Sequence, residues 1–279
     1  MTDINKHSIK INIKADANIY ADIRYRQSNE KKPLILLLHG FMAWKEWGFF
    51  PYTAEKLAEL GAISINFSTS HCGVLPGNEF ITESSKFASN TISNEITDTE
   101  TLLENFISGK ISDSALQNWS GDIYLIGHSR GGTLALIIAC KDSRIGKVVS
   151  WSGIDRFVRY PQRQLDKFKK IGYFEFDYSP AGKKLRINKS YLDDYLANLD
   201  SYAPKNCVPR LNIPLMFIHG KQDITVPYTE SERLSNLAQN GTFHLIENGG
   251  HTFGISNPFK ETTKAFEEVL NTTISFLRL

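Results

Sequence analysis

One serine of the sequence lies in a setting that favours nucleophilic chemistry. Ser129 is part of GHSRGG, residues 127–132, which follows a strand-like segment at 122–126 and precedes a helix-like segment at 132–140. Glycines on both sides allow the tight strand-to-helix turn that exposes a serine hydroxyl at the top of a sheet. The alternative is a glycine-rich turn with an incidental serine, but the flanking segments favour a nucleophile.

A serine hydroxyl becomes a good nucleophile only when a base takes its proton and a third group orients that base. Candidates for both lie downstream, each just past an apolar strand-like segment. Asp223 ends HGKQD, residues 219–223, and His251 is the histidine of GGHTF, residues 249–253. The order Ser, Asp, His along the chain is that of one particular serine-hydrolase fold.

Other acidic and histidine residues compete for these roles. Asp155 also follows a strand-like segment and is the main rival to Asp223 as the acid. His128 lies inside the serine turn, while His39 and His219 each precede a glycine at a strand end. For these three histidines, structural hydrogen bonding in tight turns is the favoured role.

The order of elements indicates how these residues are positioned. Segments 9–13 and 19–25 alternate with the two-residue strand period, whereas segment 33–38 is continuously apolar. The contrast predicts antiparallel edge strands followed by a buried parallel sheet. Strand and helix signals then alternate to the end of the chain. We therefore predict an α/β fold with a mostly parallel, doubly wound sheet whose ligands bind at the carboxyl ends of the strands.

A long interruption separates two of the predicted parallel strands. It carries hairpin-like segments at 173–176 and 184–187 around a Ser-Pro-Ala-Gly turn. We predict an inserted cap subdomain at 155–209 above a core formed by 1–154 and 210–279.

With these motifs the chain resembles the α/β-hydrolase fold family, and within it the esterase branch of dienelactone hydrolases and cinnamoyl or feruloyl esterases. The GHSRGG, HGKQD and GGHTF segments carry the resemblance, which extends from Leu34 to the end of the chain. It implies Ser129 as the nucleophile and His251 as general base and then general acid. Asp223 would orient and stabilise the imidazole.

The resemblance also implies an oxyanion hole, which is a pair of donors for the negative oxygen of a tetrahedral intermediate. It places these donors at the backbone N–H groups of Phe41, in the loop after the first buried parallel strand, and Arg130. For the Arg130 side chain, a structural ion pair is the favoured role. Two roles stay open for Trp44, Trp47, Phe49 and Phe50, which either wall an acyl pocket or belong to the core.

The cap is unusually basic. Residues 156–189 contain ten Lys or Arg and three Asp or Glu side chains, although the whole chain has a net charge of only +2. One hypothesis is that this charge attracts anionic substrates, and the other is that it forms a solvated surface.

Composition excludes several other classes of protein. With 41% hydrophobic and 22% charged residues, a globular core is expected, and the near-balanced charge argues against a nucleic-acid partner. The longest apolar run, 34–38, is too short to span a membrane, and the opening residues lack a secretory signal, so we expect a cytoplasmic protein. Three cysteines without CxxC spacing predict reduced thiols. No metal or nucleotide motif is present, so we expect no metal and no cofactor.

The predicted function is a cofactor-free serine hydrolase that cleaves small-molecule carboxylic esters through an acyl-enzyme. Alternatives are a peptidase, thioesterase or lactone hydrolase of the same fold, a perhydrolase or lyase, and a non-catalytic ligand-binding protein. The sequence leaves the oligomeric state open, with a dimer among the alternatives.

Overall fold

The computed structural model describes residues 3–14 and 16–279. Its strands are β1 (Ile4–Lys14), β2 (Ala17–Arg26), β3 (Lys32–Leu38), β4 (Ile63–Ser68), β5 (Trp119–His128), β6 (Ile145–Trp151), β7 (Tyr173–Tyr178), β8 (Lys183–Asn188), β9 (Leu215–Gly220) and β10 (Gly241–Ile246). Its helices are α1 (Phe50–Glu59), α2 (Ser84–Ala88), α3 (Ile92–Ile107), α4 (Asp113–Gln117), α5 (Arg130–Lys141), α6 (Gln162–Ile171), α7 (Lys189–Ala197), α8 (Pro204–Cys207), α9 (Thr229–Leu237) and α10 (Lys264–Leu277). Within these described ranges, no helix has both the length and the apolar character needed to cross a membrane.

Eight strands form the central sheet of the described chain, in the spatial order β1-β2-β4-β3-β5-β6-β9-β10. β2 pairs antiparallel with β1 and β4, and every other neighbouring pair in this sheet is parallel. The predicted mostly parallel α/β sheet with antiparallel strands at one edge is therefore confirmed. Parallel strands need crossover connections, which the helices provide.

The sheet is covered on both faces, which explains the continuous apolar run in β3. Leu34, Leu36 and Leu38 pack into one core cluster together with α3 and α5. Ile35 and Leu37 point to the opposite face, where they pack with α1 and α10. Because successive strand side chains point to opposite faces, a strand between two helical layers must be apolar at every position.

The segment between β6 and β9 contains α6, the β7–β8 hairpin, α7 and α8. The predicted hairpin is present, with Phe174 opposite Ile187 and Phe176 opposite Leu185. Both of its strands are longer than the sequence pattern indicated. The hairpin contacts the sheet domain through Tyr178, whose Oη accepts a hydrogen bond from the Ile81 backbone N–H at 3.1 Å.

The prediction that all three cysteines are reduced is wrong for two of them. Cys140, in the last turn of α5, forms a disulfide with Cys207 in α8, and Cys72 is free and buried. An odd cysteine count and the lack of a CxxC motif do not exclude a pair 67 residues apart in the chain. Such a pair depends on two helix ends meeting in space, with Cα atoms 6.0 Å apart.

Candidate active site

The carboxyl ends of four parallel strands bring the predicted site residues to one edge of the sheet. Phe41 lies in the loop after β3, and Ser129 directly follows β5. Asp223 and His251 lie in the loops after β9 and β10. Because carboxyl ends of parallel strands share an edge, residues more than a hundred positions apart in sequence become neighbours.

The turn at Ser129 is tight and strained. Ser129 has φ 55° and ψ −120°, and its backbone N–H donates to Trp151 O at 2.7 Å. A Cβ at Gly127 would lie 2.1 Å from Gly131 O, and a Cβ at Gly131 would lie 2.3 Å from Leu38 O. Only glycine fits at these two positions, which is why the serine can stand at the sharp entry to α5.

A continuous hydrogen-bond chain joins the three predicted triad residues. His251 Nδ1 lies 2.7 Å from Asp223 Oδ2, and His251 Nε2 lies 3.1 Å from Ser129 Oγ. An ionised carboxylate only accepts hydrogen bonds, so Nδ1 carries the proton in the neutral ring. Nε2 is then left free to accept a hydrogen bond from the serine hydroxyl.

Asp223 is held in place by several donors. Its Oδ1 accepts hydrogen bonds from the backbone N–H groups of Thr225 and Val226, each at 2.8 Å. Burial alone would raise the pKa of the Asp223 carboxyl, but hydrogen bonds from His219 and His251 outweigh burial and hold that pKa well below its usual range. The carboxyl is therefore ionised throughout the neutral range.

His219 has the structural role that its position suggested. Its Nε2 faces two acceptors, Asp223 Oδ2 at 3.1 Å and Val226 O at 2.9 Å, so this nitrogen carries the proton. Its Nδ1 then accepts from the Ser231 hydroxyl at 2.7 Å. His219 thus orients Asp223, a contribution that sequence reasoning missed.

The rival acid, Asp155, is engaged elsewhere. Its Oδ2 lies 2.6 Å from an amino nitrogen of Arg233, and its Oδ1 lies 3.6 Å from Arg156 Nε. In the described part of the chain, no hydrogen bond joins Asp155 to a histidine. The geometry favours Asp223 for the acid role.

His39 and His128 are also structural. His39 Nε2 accepts from the Thr69 backbone N–H at 3.2 Å, and burial lowers the pKa of His39 to about 4. His128 Nε2 lies 2.8 Å from the backbone oxygen of His251, and burial lowers the pKa of His128 to about 3. Both imidazoles are therefore neutral at neutral pH.

The loop that contains Phe41 passes directly against the serine. A Cβ at Gly40 would lie 3.2 Å from Ser129 Cβ. Within the described residues, the backbone N–H groups of Phe41 and Arg130 have no hydrogen-bond acceptor. Among the described residues, nothing therefore competes with a substrate oxygen for these two predicted oxyanion donors.

Two cavities flank Ser129 and share Phe41, Met42 and His251 as lining residues. We call the larger one, about 710 Å³, the tryptophan chamber, whose wall includes Trp44, Trp47, Phe80 and Tyr178. We call the other one, about 510 Å³, the tyrosine chamber, whose wall includes Phe157, Tyr160, Ile187 and Tyr191. Ser129 therefore lies at the junction of the tryptophan chamber and the tyrosine chamber.

The four aromatic residues that follow the Phe41 loop have two different roles. Trp44 and Trp47 line the tryptophan chamber, whereas Phe49 and Phe50 are fully buried in the core. Of the ten basic residues at 156–189, Arg159 is the one that lines either chamber in the described chain. Attraction of anionic substrates by the basic cap stays a prediction.

Comparison of the sequence with known proteins identifies a family and a relative. Residues 117–263 match the family described as "Serine hydrolase (FSH1)". A relative, "Putative esterase YitV" of Bacillus subtilis (strain 168), is 27% identical over 201 residues, which are 72% of each chain.

Solved structures share the fold. Est1E from Butyrivibrio proteoclasticus, in its complex with ferulic acid, has a TM-score of 0.69 at 19% identity and covers 97% of this chain and 98% of its own. Alpha/beta hydrolase domain-containing protein 10 from mouse has a TM-score of 0.71 at 17% identity and covers 98% of both chains. The predicted α/β-hydrolase fold is confirmed. Because the family match covers 147 of 279 residues, including Ser129, Asp223 and His251, the chain belongs to the FSH1 serine hydrolase family.

Proposed function

We propose that this serine hydrolase cleaves carboxylic esters with Ser129, His251 and Asp223 as its catalytic triad. The observation that carries the proposal is the hydrogen-bond chain from Asp223 through His251 to Ser129, at the carboxyl edge of the sheet. Membership of a serine hydrolase family and similarity to a protein named as an esterase support it.

In the first half-reaction, Ser129 Oγ attacks the ester carbonyl carbon while its proton passes to His251 Nε2. The imidazolium that forms is stabilised by the ionised Asp223 carboxylate at Nδ1. When the tetrahedral intermediate collapses, the bond to the alcohol oxygen breaks and His251 gives that oxygen its proton. The alcohol leaves, and the acyl group stays on Ser129.

In the second half-reaction, His251 takes a proton from water, whose oxygen attacks the acyl carbon. The acid is released and Ser129 regains its proton. In both half-reactions the carbonyl oxygen becomes negative. The free backbone N–H groups of Phe41 and Arg130 are the donors that we assign to it, and one such donor commonly contributes about 3 kcal/mol.

The two chambers are suited to the two parts of an ester. An acyl group and an alcohol extend in different directions from the carbonyl carbon, and the two cavities both reach Ser129 but have largely different lining residues. We further propose that residues 155–209 act as a cap over the core. Part of this segment lines each chamber, with Tyr160 and Tyr191 in one and Tyr178 in the other.

The test combines a covalent probe with a substrate panel. The wild-type protein should be labelled by a fluorophosphonate and should hydrolyse 4-nitrophenyl esters of graded acyl length, in preference to matched 4-nitroanilides. Ser129→Ala should remove labelling and lower kcat by about 10⁴-fold or more. A wild-type protein that is neither labelled nor active on any ester would overturn the proposal.

Ser152→Ala is the matched control for this test. Ser152 directly follows the neighbouring strand β6 and has a similarly positive φ of 47°, and its hydroxyl is buried without a hydrogen-bond partner in the described chain. Its loss should leave labelling and turnover at the wild-type level. Equal losses in the two variants would indicate that backbone distortion, rather than loss of the nucleophile, removes activity.

A further inference from the structure

The Arg130 side chain is buried beside the nucleophile, although the proposed mechanism uses only its backbone. Arg130 is 7% exposed, and its guanidinium forms an ion pair with Glu95 of α3, which is 3% exposed. An ion pair buried this deeply is often no more stabilising than apolar residues of similar size, because both charges lose their hydration. Stability alone therefore does not explain the pair.

The guanidinium contacts the residue that carries the other oxyanion donor. Its central carbon lies 5.0 Å from the centre of the Phe41 ring and 5.8 Å from the centre of the Tyr191 ring. A guanidinium plane over an aromatic ring is an attractive contact, and it is stronger when both groups are removed from water.

Other aromatic rings hold Phe41 as well. The Phe41 ring lies 5.4 Å from the Phe87 ring and 5.6 Å from the ring of Phe176 in the β7–β8 hairpin, measured between centroids. Phe41 is therefore packed among α2, the hairpin and the guanidinium. The position of its backbone N–H depends on these contacts.

Glu95 is itself fixed in place. Its Oε1 accepts a hydrogen bond from Asn90 Nδ2 at 2.7 Å, so Asn90 and Arg130 share one carboxylate oxygen. A line of contacts thus runs from Asn90 through Glu95 and the guanidinium to Phe41. Its last two members, Arg130 and Phe41, carry the two N–H groups assigned to the oxyanion.

We propose that the Arg130 side chain, held by Glu95, is a positioning group that sets the relative placement of the two oxyanion donors. The inference rests on the proposed ester hydrolysis and assigns a role in that reaction to two further side chains, those of Arg130 and Glu95. Arg130 lines the tyrosine chamber, but within the described residues the hydrogen bond of its guanidinium goes to Glu95 and not to Ser129. It acts by holding Phe41, and Glu95 acts by holding the guanidinium.

The main test is the double variant Arg130→Met/Glu95→Met, which removes both charges and keeps the space filled. Replacing both partners avoids an unpaired buried charge, so the protein should fold with a Tm close to that of the wild type. Since a misplacement of about 1 Å at an active site can cost about a hundredfold in rate, kcat for a 4-nitrophenyl ester should fall about 10- to 100-fold. KM should stay within about threefold.

Arg130→Lys gives a second test that does not remove the charge. Lysine can still pair with Glu95, but it lacks the flat guanidinium that lies over the Phe41 ring. We expect its kcat to fall nearly as far as in the double variant. A lysine that restores wild-type kcat would show that only the charge matters, which would overturn the proposed contact with Phe41.

The matched control is Arg144→Met/Glu104→Met. This pair also joins α3 to the region of α5, but it lies at the surface, with side chains 43% and 60% exposed. Its removal should change neither kcat nor KM.

Inhibitor binding separates a positioning role from a general structural one. A trifluoromethyl ketone matched to the acyl group adds to Ser129 Oγ, and its oxygen becomes negative as in the transition state. Its affinity should fall in the Arg130→Met/Glu95→Met variant by the same factor as kcat/KM, while the affinity for the product acid stays near that of the wild type. Unchanged kcat, or equal losses of both affinities, would overturn the inference.

The proposed function is tested separately by wild-type turnover, so an active wild type with an unaffected double variant contradicts only the positioning role.

Discussion

His128 Nε2 lies 2.8 Å from the backbone oxygen of His251. His128, which precedes the proposed nucleophile, therefore holds the loop that contains His251. Burial lowers the pKa of His128 to about 3, with a further lowering effect from His251. The ring is therefore neutral and donates through its Nε2–H. It can fix the position of His251 without adding a positive charge beside it.

Loss of this hydrogen bond should impair turnover. In His128→Phe, a ring still fills the space but donates nothing, and we expect kcat to fall about 10- to 100-fold because His251 loses its placement against Ser129. His128→Gln keeps an amide donor and should recover part of the loss. Steady-state kinetics on one 4-nitrophenyl ester would measure both, and a fully active His128→Phe variant would contradict the prediction.

Substitution of the two candidate acids should have very different effects. Asp223→Asn should lower kcat by about 10⁴-fold, because an amide can no longer hold the Nδ1–H form of His251. Asp155→Asn should retain most activity, since that carboxylate pairs with Arg233 instead. If both variants had the same Tm and lost kcat to a similar extent, the acid role could no longer be assigned to Asp223 over Asp155.

The buried His39 predicts a pH-dependent stability. Burial lowers its pKa from 6.5 to about 4, so the unfolded chain binds more protons than the folded chain between these values. The free energy of unfolding should therefore fall as the pH drops from 6.5 to 4, with a contribution of about 3 kcal/mol from this residue.

Urea denaturation of the wild type and His39→Gln across this pH range would measure that contribution. As the pH is lowered, the free energy of unfolding of the wild type should fall steadily relative to that of His39→Gln, because glutamine does not titrate. A difference that is the same at pH 4 and pH 7 would show that His39 titrates alike in the folded and unfolded chains.

The disulfide predicts the number of free thiols. Unfolded under non-reducing conditions, the protein should show one reactive thiol, Cys72, and after reduction it should show three. A loop of 67 residues is closed by the bond, so Cys140→Ala/Cys207→Ala should be about 4 kcal/mol less stable than the oxidised wild type. Three thiols without reductant would mean that the bond does not form.

Much of the architecture can be predicted from local patterns of apolar residues and glycines in the sequence. The continuous apolar run 34–38 predicts a strand covered on both faces, and its residues are divided between the two core clusters. GHSRGG predicts the serine turn because glycine is the residue that tolerates the contacts measured at Gly127 and Gly131. These signals are short-range, since each depends on the sterics of a few neighbouring residues.

Local sequence pattern is sufficient to predict the fold class, the serine turn and the three residue types needed for a triad, and it favours an ion pair for Arg130. The partners of these residues depend on how distant segments pack together. Glu95 lies 35 residues from Arg130, Cys207 lies 67 residues from Cys140, and the choice between Asp223 and Asp155 depends on where two loops end. Contacts of this kind arise when separate strands and helices pack together, and no spacing within one segment encodes that geometry.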